Sequence, residues 1–313
     1  NFDIRTYGLR NKYVRWISSK LSYFPGINRR LHDLISEMNP DILFYVAPWT
    51  DAIHAKAKRK ICIIHDLFDF VNNDLVNYMV LQKERGRRTI ECINFSDEIV
   101  VESDVTKDHL LKLLTKLKLK KKPISTVGMP PGFINLFPDD ESVAYRDFRD
   151  YWLAPSHITP LKNQILVVNA LILLKEQKIY PKILFTFPSF STLYLMQLLY
   201  TAARGGVLKN IRWRYQASDA EMANYYRHCI GVIMPSKIGP TNMPIEEAKE
   251  FNKICLASRE ASAAYQADYH LFKFGPNDSQ HLSELMSASY DRKLSLEPPS
   301  RSFFSAINML ISH

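Results

Sequence analysis

Short apolar runs, each separated from the next by a helix-length interval, constrain this chain more than any other feature. In the first half they fall at residues 41–46, 60–64, 98–101 and 124–127. In the second half they fall at 151–155, 182–187, 210–215, 229–234 and 253–258. Each has the length and composition of a buried strand. The intervening segments carry helical patterning. Residues 27–38 place Ile27, Leu31, Leu34, Ile35 and Met38 on one face and close at Asn39-Pro40. Helices are likewise expected over 76–93, 103–114, 164–177, 192–203, from Ser218 to Tyr226, from Ile245, near Ser279 and over 301–311. At Ser218 the cap is reinforced by Glu221 three residues on, a capping-box pattern. Alternating strand and helix implies parallel sheets, whose ligands gather beyond the carboxyl ends of the strands.

The 313 residues suffice for two such α/β domains. A hydrophobic content of 46%, with 17 Phe and 16 Tyr, can fill two cores and argues against global disorder. No apolar run reaches bilayer-spanning length, and no signal peptide or initiator Met is seen. Cys62, Cys92, Cys229 and Cys255 are scattered, three of them in apolar runs, which suits reduced core thiols in a cytosolic protein. They show no metal-ligand spacing.

The net charge of +9 favours an anionic partner. Lys116, Lys118, Lys120, Lys121 and Lys122 alternate with Leu113, Leu114, Leu117 and Leu119, suggesting an amphipathic surface element. It reads first as a solvated face and second as a peripheral contact with an acidic membrane surface. Nucleic acid is the weakest partner class. No recognised motif is present, and the aromatics are not interleaved with the basic runs as a stacking platform requires.

The stretch that bears most directly on chemistry is 235–248. It follows the apolar run 229–234, breaks regular structure with Gly239, Pro240, Asn242 and Pro244, and then enters a turn containing Glu246, Glu247 and Glu250. Strand, irregular loop and helix N-terminus together present backbone N–H groups to an anion. This stretch resembles the donor-binding loop of the retaining glycosyltransferases of family 4, which have the GT-B fold. The family pattern is Pro-Ser-x-x-Glu-Gly-Phe-Gly-Leu-Pro-x-x-Glu-Ala, and Pro235, Ser236, Pro244, Glu247 and Ala248 fall on it without a gap. Gly239 stands where the pattern has its first glutamate, and Pro240-Thr241-Asn242 replaces Gly-Phe-Gly. Asn242 is expected to stand in for a glycine in a left-handed conformation.

A second matching stretch is 156–163, where the family has a basic residue and, five positions later, a lysine at the start of a long helix. Lys162 fills the lysine position and His157 replaces the commoner arginine. A cation at a helix N-terminus conflicts with the dipole, and an anion between the two would remove the conflict. His65-Asp66-Leu67 coincides with the family's His-Asp-Leu segment, Asp97 to Ser103 with its strand ending in serine, and Pro130 to Gly132 with its Pro-x-Gly. Gly132 is expected to serve loop geometry. Residues 275–278 resemble the turn before a late helix.

The resemblance runs from about residue 40 onward and implies two Rossmann-like parallel-sheet domains facing a cleft. They would be an acceptor domain over 1–145 and a nucleotide-sugar domain over 146–295, with a last helix over 296–313 crossing back. Residues 1–20 are basic and aromatic and lack the opening strand and glycine-rich turn, so the N-terminal domain is expected to be incomplete.

The implied activity is metal-independent transfer of a hexose-type sugar, with retention, from a nucleoside-diphosphate sugar to a glycan or lipid-linked acceptor. No cofactor or metal is implied. Lys162, His157 and the amides near Asn242 and Met243 would meet the diphosphate, with Gly239 in the same loop. Glu247 would hold the ribose, and Tyr215 and Gln216 would border the base. His65, Asp66 and Gly132 would lie on the acceptor side. The expected location is cytoplasmic, peripheral on a membrane if the lysine cluster binds one. The departures at Gly239 and His157 keep a second reading open, a catalytically inactive GT-B protein acting as a binding or partner subunit.

Overall fold

A computed structural model describes residues 29–45, 54–67, 70, 80–129, 132–139, 148–265 and 270–290. The basic N-terminal stretch and the expected last helix lie outside them. The chain forms two units that divide between Gly128 and Met129.

The first unit runs α1 (Arg29–Met38), β1 (Ile42–Tyr45), β2 (Arg59–Ile64), α2 (Val80–Phe95), β3 (Glu98–Val101), α3 (Asp104–Lys116) and β4 (Ile124–Thr126). Its four strands are all parallel and lie in sequence order. The sheet's Tyr45, Cys62, Ile64, Ile99 and Val101 pack with Cys92 and Ile93 of α2 and with Leu110, Leu113 and Leu114 of α3. Ser103 caps α3 by accepting the Thr106 N–H at 3.1 Å, a bond worth about 1 kcal/mol.

The lysine cluster does not form one amphipathic element. Helix α3 stops at Lys116, Lys118 adopts φ +52°, and the residues beyond leave helical structure. Lys122 is turned inward, donating to the carbonyls of Asn94 and Ser96 at the end of α2. Burial holds its ammonium below the usual lysine range.

The second unit runs β5 (Tyr151–Pro155), α4 (Gln164–Glu176), β6 (Lys182–Phe187), α5 (Thr192–Arg204), β7 (Ile211–Tyr215), α6 (Asp219–His228), β8 (Gly231–Met234), α7 (Met243–Glu250), β9 (Ile254–Ser258), β10 (Leu271–Phe274) and α8 (Ser279–Tyr290). All six strands are parallel, in the order β10-β9-β8-β5-β6-β7. One face buries residues of α4, α5 and α8, the other those of α6 and α7. The chain winds outward from β5 to β7, then returns beside β5 and winds the other way. The order therefore reverses between β5 and β8, where Trp152 pairs with Gly231 and Leu153 with Val232.

Strand β10 is absent from the sequence reading. The short 3₁₀ helix Phe133–Leu136 packs on α6 and α7 with Ile134 in the core. Arg227 donates to the carbonyls of Phe137 and Pro138, and Asn135 to Glu250 at 3.2 Å. The passage into the second unit thus comes ahead of residue 145. The capping box at Ser218 and Glu221 is present, and all four cysteines are buried and outside any disulfide. No helix among the described residues is long and apolar enough to cross a membrane.

Candidate functional site

The reversal of strand order puts the two long motif loops side by side. One leaves Pro155 at the carboxyl end of β5 and the other leaves Met234 at that of β8. They are stitched together directly. The Lys237 N–H donates to the Leu161 carbonyl at 2.8 Å, and the Ser236 hydroxyl reaches the same carbonyl at 3.4 Å. Asn163, buried and left-handed at φ +58°, donates its amide to the carbonyls of Pro235 and Pro276 at 3.2 and 2.8 Å. One side chain thereby ties together the loops that follow β5, β8 and β10. Gln164 closes the first loop, donating to the Ser156 hydroxyl and the His157 carbonyl at 2.7 Å each.

Lys162 projects from this frame and donates to Asn242 Oδ1 at 3.4 Å. The Asn242 amide in turn donates to the carbonyls of Gly239 and Ala261 at 2.8 and 2.7 Å. Asn242 does not replace a glycine. Its backbone is extended at φ −144°, and the left-handed residue of the loop is Gly239 at φ +88°. Asn242 instead precedes α7 as its N-cap, followed by Met243 and Pro244, and proline in a first turn fits because its missing N–H would be unpaired there anyway.

Partial desolvation of the His157 ring, in a residue that remains exposed, holds it below the ordinary imidazole range, and the neighbouring Lys162 charge acts in the same direction. The ring bonds Ser189 Oγ at 2.7 Å. The first turn of α4 is partly occupied too, since the Tyr194 hydroxyl accepts the Ile165 N–H at 3.1 Å.

Glu247 is only 7% exposed. Its Oε2 accepts the Tyr226 hydroxyl at 2.6 Å, and burial raises its carboxyl above the ordinary range. Its Oε1 lies so close to Gly132 that a Cβ there would sit 2.4 Å away. Gly132 thus belongs with the second unit, and its lack of a side chain makes room for this carboxylate.

A cavity of about 380 Å³ opens at the carboxyl ends of β5 and β6. His157, Gln216 and Met243, all singled out in the sequence, line it, together with Thr186, Phe187 and Met222, which were not. Gln216 is left-handed at φ +51°, donates its side-chain amide to the Tyr215 hydroxyl at 2.8 Å and is anchored by its N–H to Phe187. Phe187, Phe190 and Tyr215 form an aromatic group beside it. Tyr226 and Phe187 could not be found by motif, because their roles depend on which face of a helix or strand meets the loop.

In the first unit, His65 follows the last residue of β2 and its Nδ1 lies 2.5 Å from Glu102 Oε1. Asp66 is half-buried beside it. Among the described residues no group of three His, Cys, Asp or Glu side chains is placed to hold a metal.

No protein-family model matches the chain, and no curated protein matches it in sequence. Solved structures do. HepE from Anabaena, in complex with UDP and glucose, aligns at 14% identity over 88% of this chain and 75% of its own, with a TM-score of 0.68. A UDP-forming trehalose-phosphate synthase from Burkholderia xenovorans aligns at 14% identity over 90% and 72%, with a TM-score of 0.66. A glycosyltransferase from Rickettsia africae aligns at 17% identity over 93% and 74%, with a TM-score of 0.61. The fold is GT-B. In this GT-B chain His157, Lys162, Gly239 and Asn242 lie on the loops after β5 and β8, Met243 and Glu247 in α7, Tyr215 and Gln216 at the end of β7, and His65 and Asp66 in the first unit.

Proposed function

We propose that this chain is a metal-independent, retaining glycosyltransferase of family 4. It moves a hexose-type sugar from a nucleoside-diphosphate sugar to a glycan or lipid-linked acceptor. The observation that carries the reading is the meeting of Lys162 with Asn242 at the reversal between β5 and β8, beside the cavity lined by His157, Gln216 and Met243. Open parallel sheets bind ligands at such a point. A lysine and the N-terminus of α7 place positive potential where charge grows on a departing diphosphate. His157 contributes as a neutral hydrogen-bonding group. The cavity, with Gln216, Phe187 and Met243, takes the base, and HepE, crystallised with UDP-glucose, suggests that the base is uracil.

In this reading Glu247 meets the ribose through the oxygen not bonded to Tyr226, His65 and Asp66 serve the acceptor, and the exposed lysines near residue 120 allow a peripheral contact with an acidic membrane. The deciding experiment incubates the purified chain with a panel of UDP-, GDP- and ADP-sugars and acceptors, following nucleoside-diphosphate release. Release from one donor class supports the proposal.

One observation favours a second reading. Glu247 is already engaged by Tyr226, and the family's other carboxylate is replaced by a left-handed glycine. A protein that binds the nucleotide without turning over would show saturable binding in the same panel and no release, even with acceptor present.

A further inference from the structure

Strands β2 and β3 are parallel neighbours whose register pairs Ile64 with Val101. The residues one step past Val101 and Ile64 therefore emerge together at the carboxyl edge of the first sheet. These are Glu102 and His65, and their side chains meet, with Nδ1 to Oε1 at 2.5 Å. The carboxylate side chain is sunk at 10% exposure, while the imidazole, at 39%, reaches solvent. The backbone beneath is held as well. Thr106, the residue whose N–H is capped by Ser103, directs its hydroxyl at the His65 carbonyl at 3.5 Å.

An ionised carboxylate only accepts hydrogen bonds, so the ring nitrogen facing it must carry a proton. In the neutral ring the other nitrogen is then an acceptor. We propose that Glu102 is the positioning residue of His65, fixing the ring as the Nδ1–H tautomer so that Nε2 accepts a hydroxyl of a sugar acceptor bound on the first unit. The assignment rests on the glycosyltransferase reading for the identity of that hydroxyl, though not for the tautomer itself. Glu102 touches no substrate in this scheme and acts through the ring. Nothing in the sequence marks it except its place immediately past the strand end, the position His65 holds on the neighbouring strand.

The test uses the full chain with ¹⁵N-labelled histidine. In the wild type His65 should show a protonated Nδ1 and a proton-free Nε2 at pH 8. Glu102→Gln, whose amide can donate as well as accept, should introduce the Nε2–H form. If the enzyme turns over a nucleotide sugar, the same variant should lose about tenfold or more in kcat, because a ring in the wrong tautomer cannot accept the hydroxyl at Nε2. KM for the nucleotide sugar should stay unchanged, and Glu102→Asp should recover part of the loss. An unchanged ring spectrum in Glu102→Gln overturns the proposal, as does an unchanged kcat. Absence of all turnover counts against the functional reading alone, and the spectrum then decides the role of Glu102. Should Glu102→Gln fail to fold, Glu102→Asp provides the same comparison, with a weakened preference for Nδ1–H expected.

Discussion

Tyr226 donates its hydroxyl to Glu247 across 2.6 Å inside the second unit, where the tyrosine is fully buried and the glutamate nearly so. The pair joins α6 to the first turns of α7, the helix whose N-terminus meets Lys162. Removing the hydroxyl leaves a buried carboxyl short of a donor, which costs about 1–3 kcal/mol. Tyr226→Phe should therefore lower the unfolding free energy by that amount, read as a lower urea midpoint at an unchanged m value. An unaltered midpoint would show that the bond contributes nothing.

The same carboxyl sets a pH dependence. Burial, the largest cause, raises Glu247 above its ordinary value of 4.5, against the opposing pull of the Tyr226 bond. As pH climbs past 4.5 the unfolded chain releases this proton first while the folded chain keeps it, so stability falls until the raised folded value is passed. Below 4.5 both states are protonated and the contribution vanishes. Glu247→Gln should remove this component. The stability difference, variant minus wild type, should grow as pH rises from 4 to 7 in urea titrations, and a difference independent of pH would contradict the raised carboxyl.

Gly132 is required by proximity. A methyl group there would meet Glu247 Oε1 at 2.4 Å and Met243 Sδ at 3.4 Å. Gly132→Ala should cost about 1–3 kcal/mol as an overpacked site. It should also weaken nucleotide binding, because the displaced carboxylate lies in the helix that begins beside Lys162. Calorimetric titration with UDP checks the second effect.

Gly239 is required by conformation. Its φ of +88° is one that side chains rarely adopt, and forcing a left-handed geometry on another residue costs roughly 1–2 kcal/mol. Gly239→Glu would restore the family's first carboxylate on paper. It should nevertheless lower the melting temperature and raise no activity, and a gain in turnover without loss of stability would show that the loop accepts a side chain here.

Much of this was legible in the sequence, for identifiable reasons. The strand runs at 151–155, 182–187 and 229–234 are continuous and apolar because both faces of the second sheet are covered, which is how a doubly flanked strand reads. Leu271 to Phe274 went unread because Lys273 interrupts a run of only four residues on an edge strand. No local pattern reports that β8 lies beside β5, so the meeting of Lys162 with Asn242 came only from the resemblance. The left-handed glycine was misplaced onto Asn242 because sequence reveals which residues tolerate such a backbone, not which one is bent. The approach of the Lys162 charge to His157, which disfavours protonation of the ring, likewise exists only in the fold.

The central claim is that Lys162 and the start of α7 form one anion site beside the nucleotide cavity. Isothermal titration of UDP into the wild type and Lys162→Ala tests it most directly. Saturable binding by the wild type, weakened about tenfold or more in the variant as expected for loss of a charge-assisted hydrogen bond, is the predicted result. Equal affinity in the two proteins, or no binding of any nucleoside diphosphate by the wild type, would contradict it.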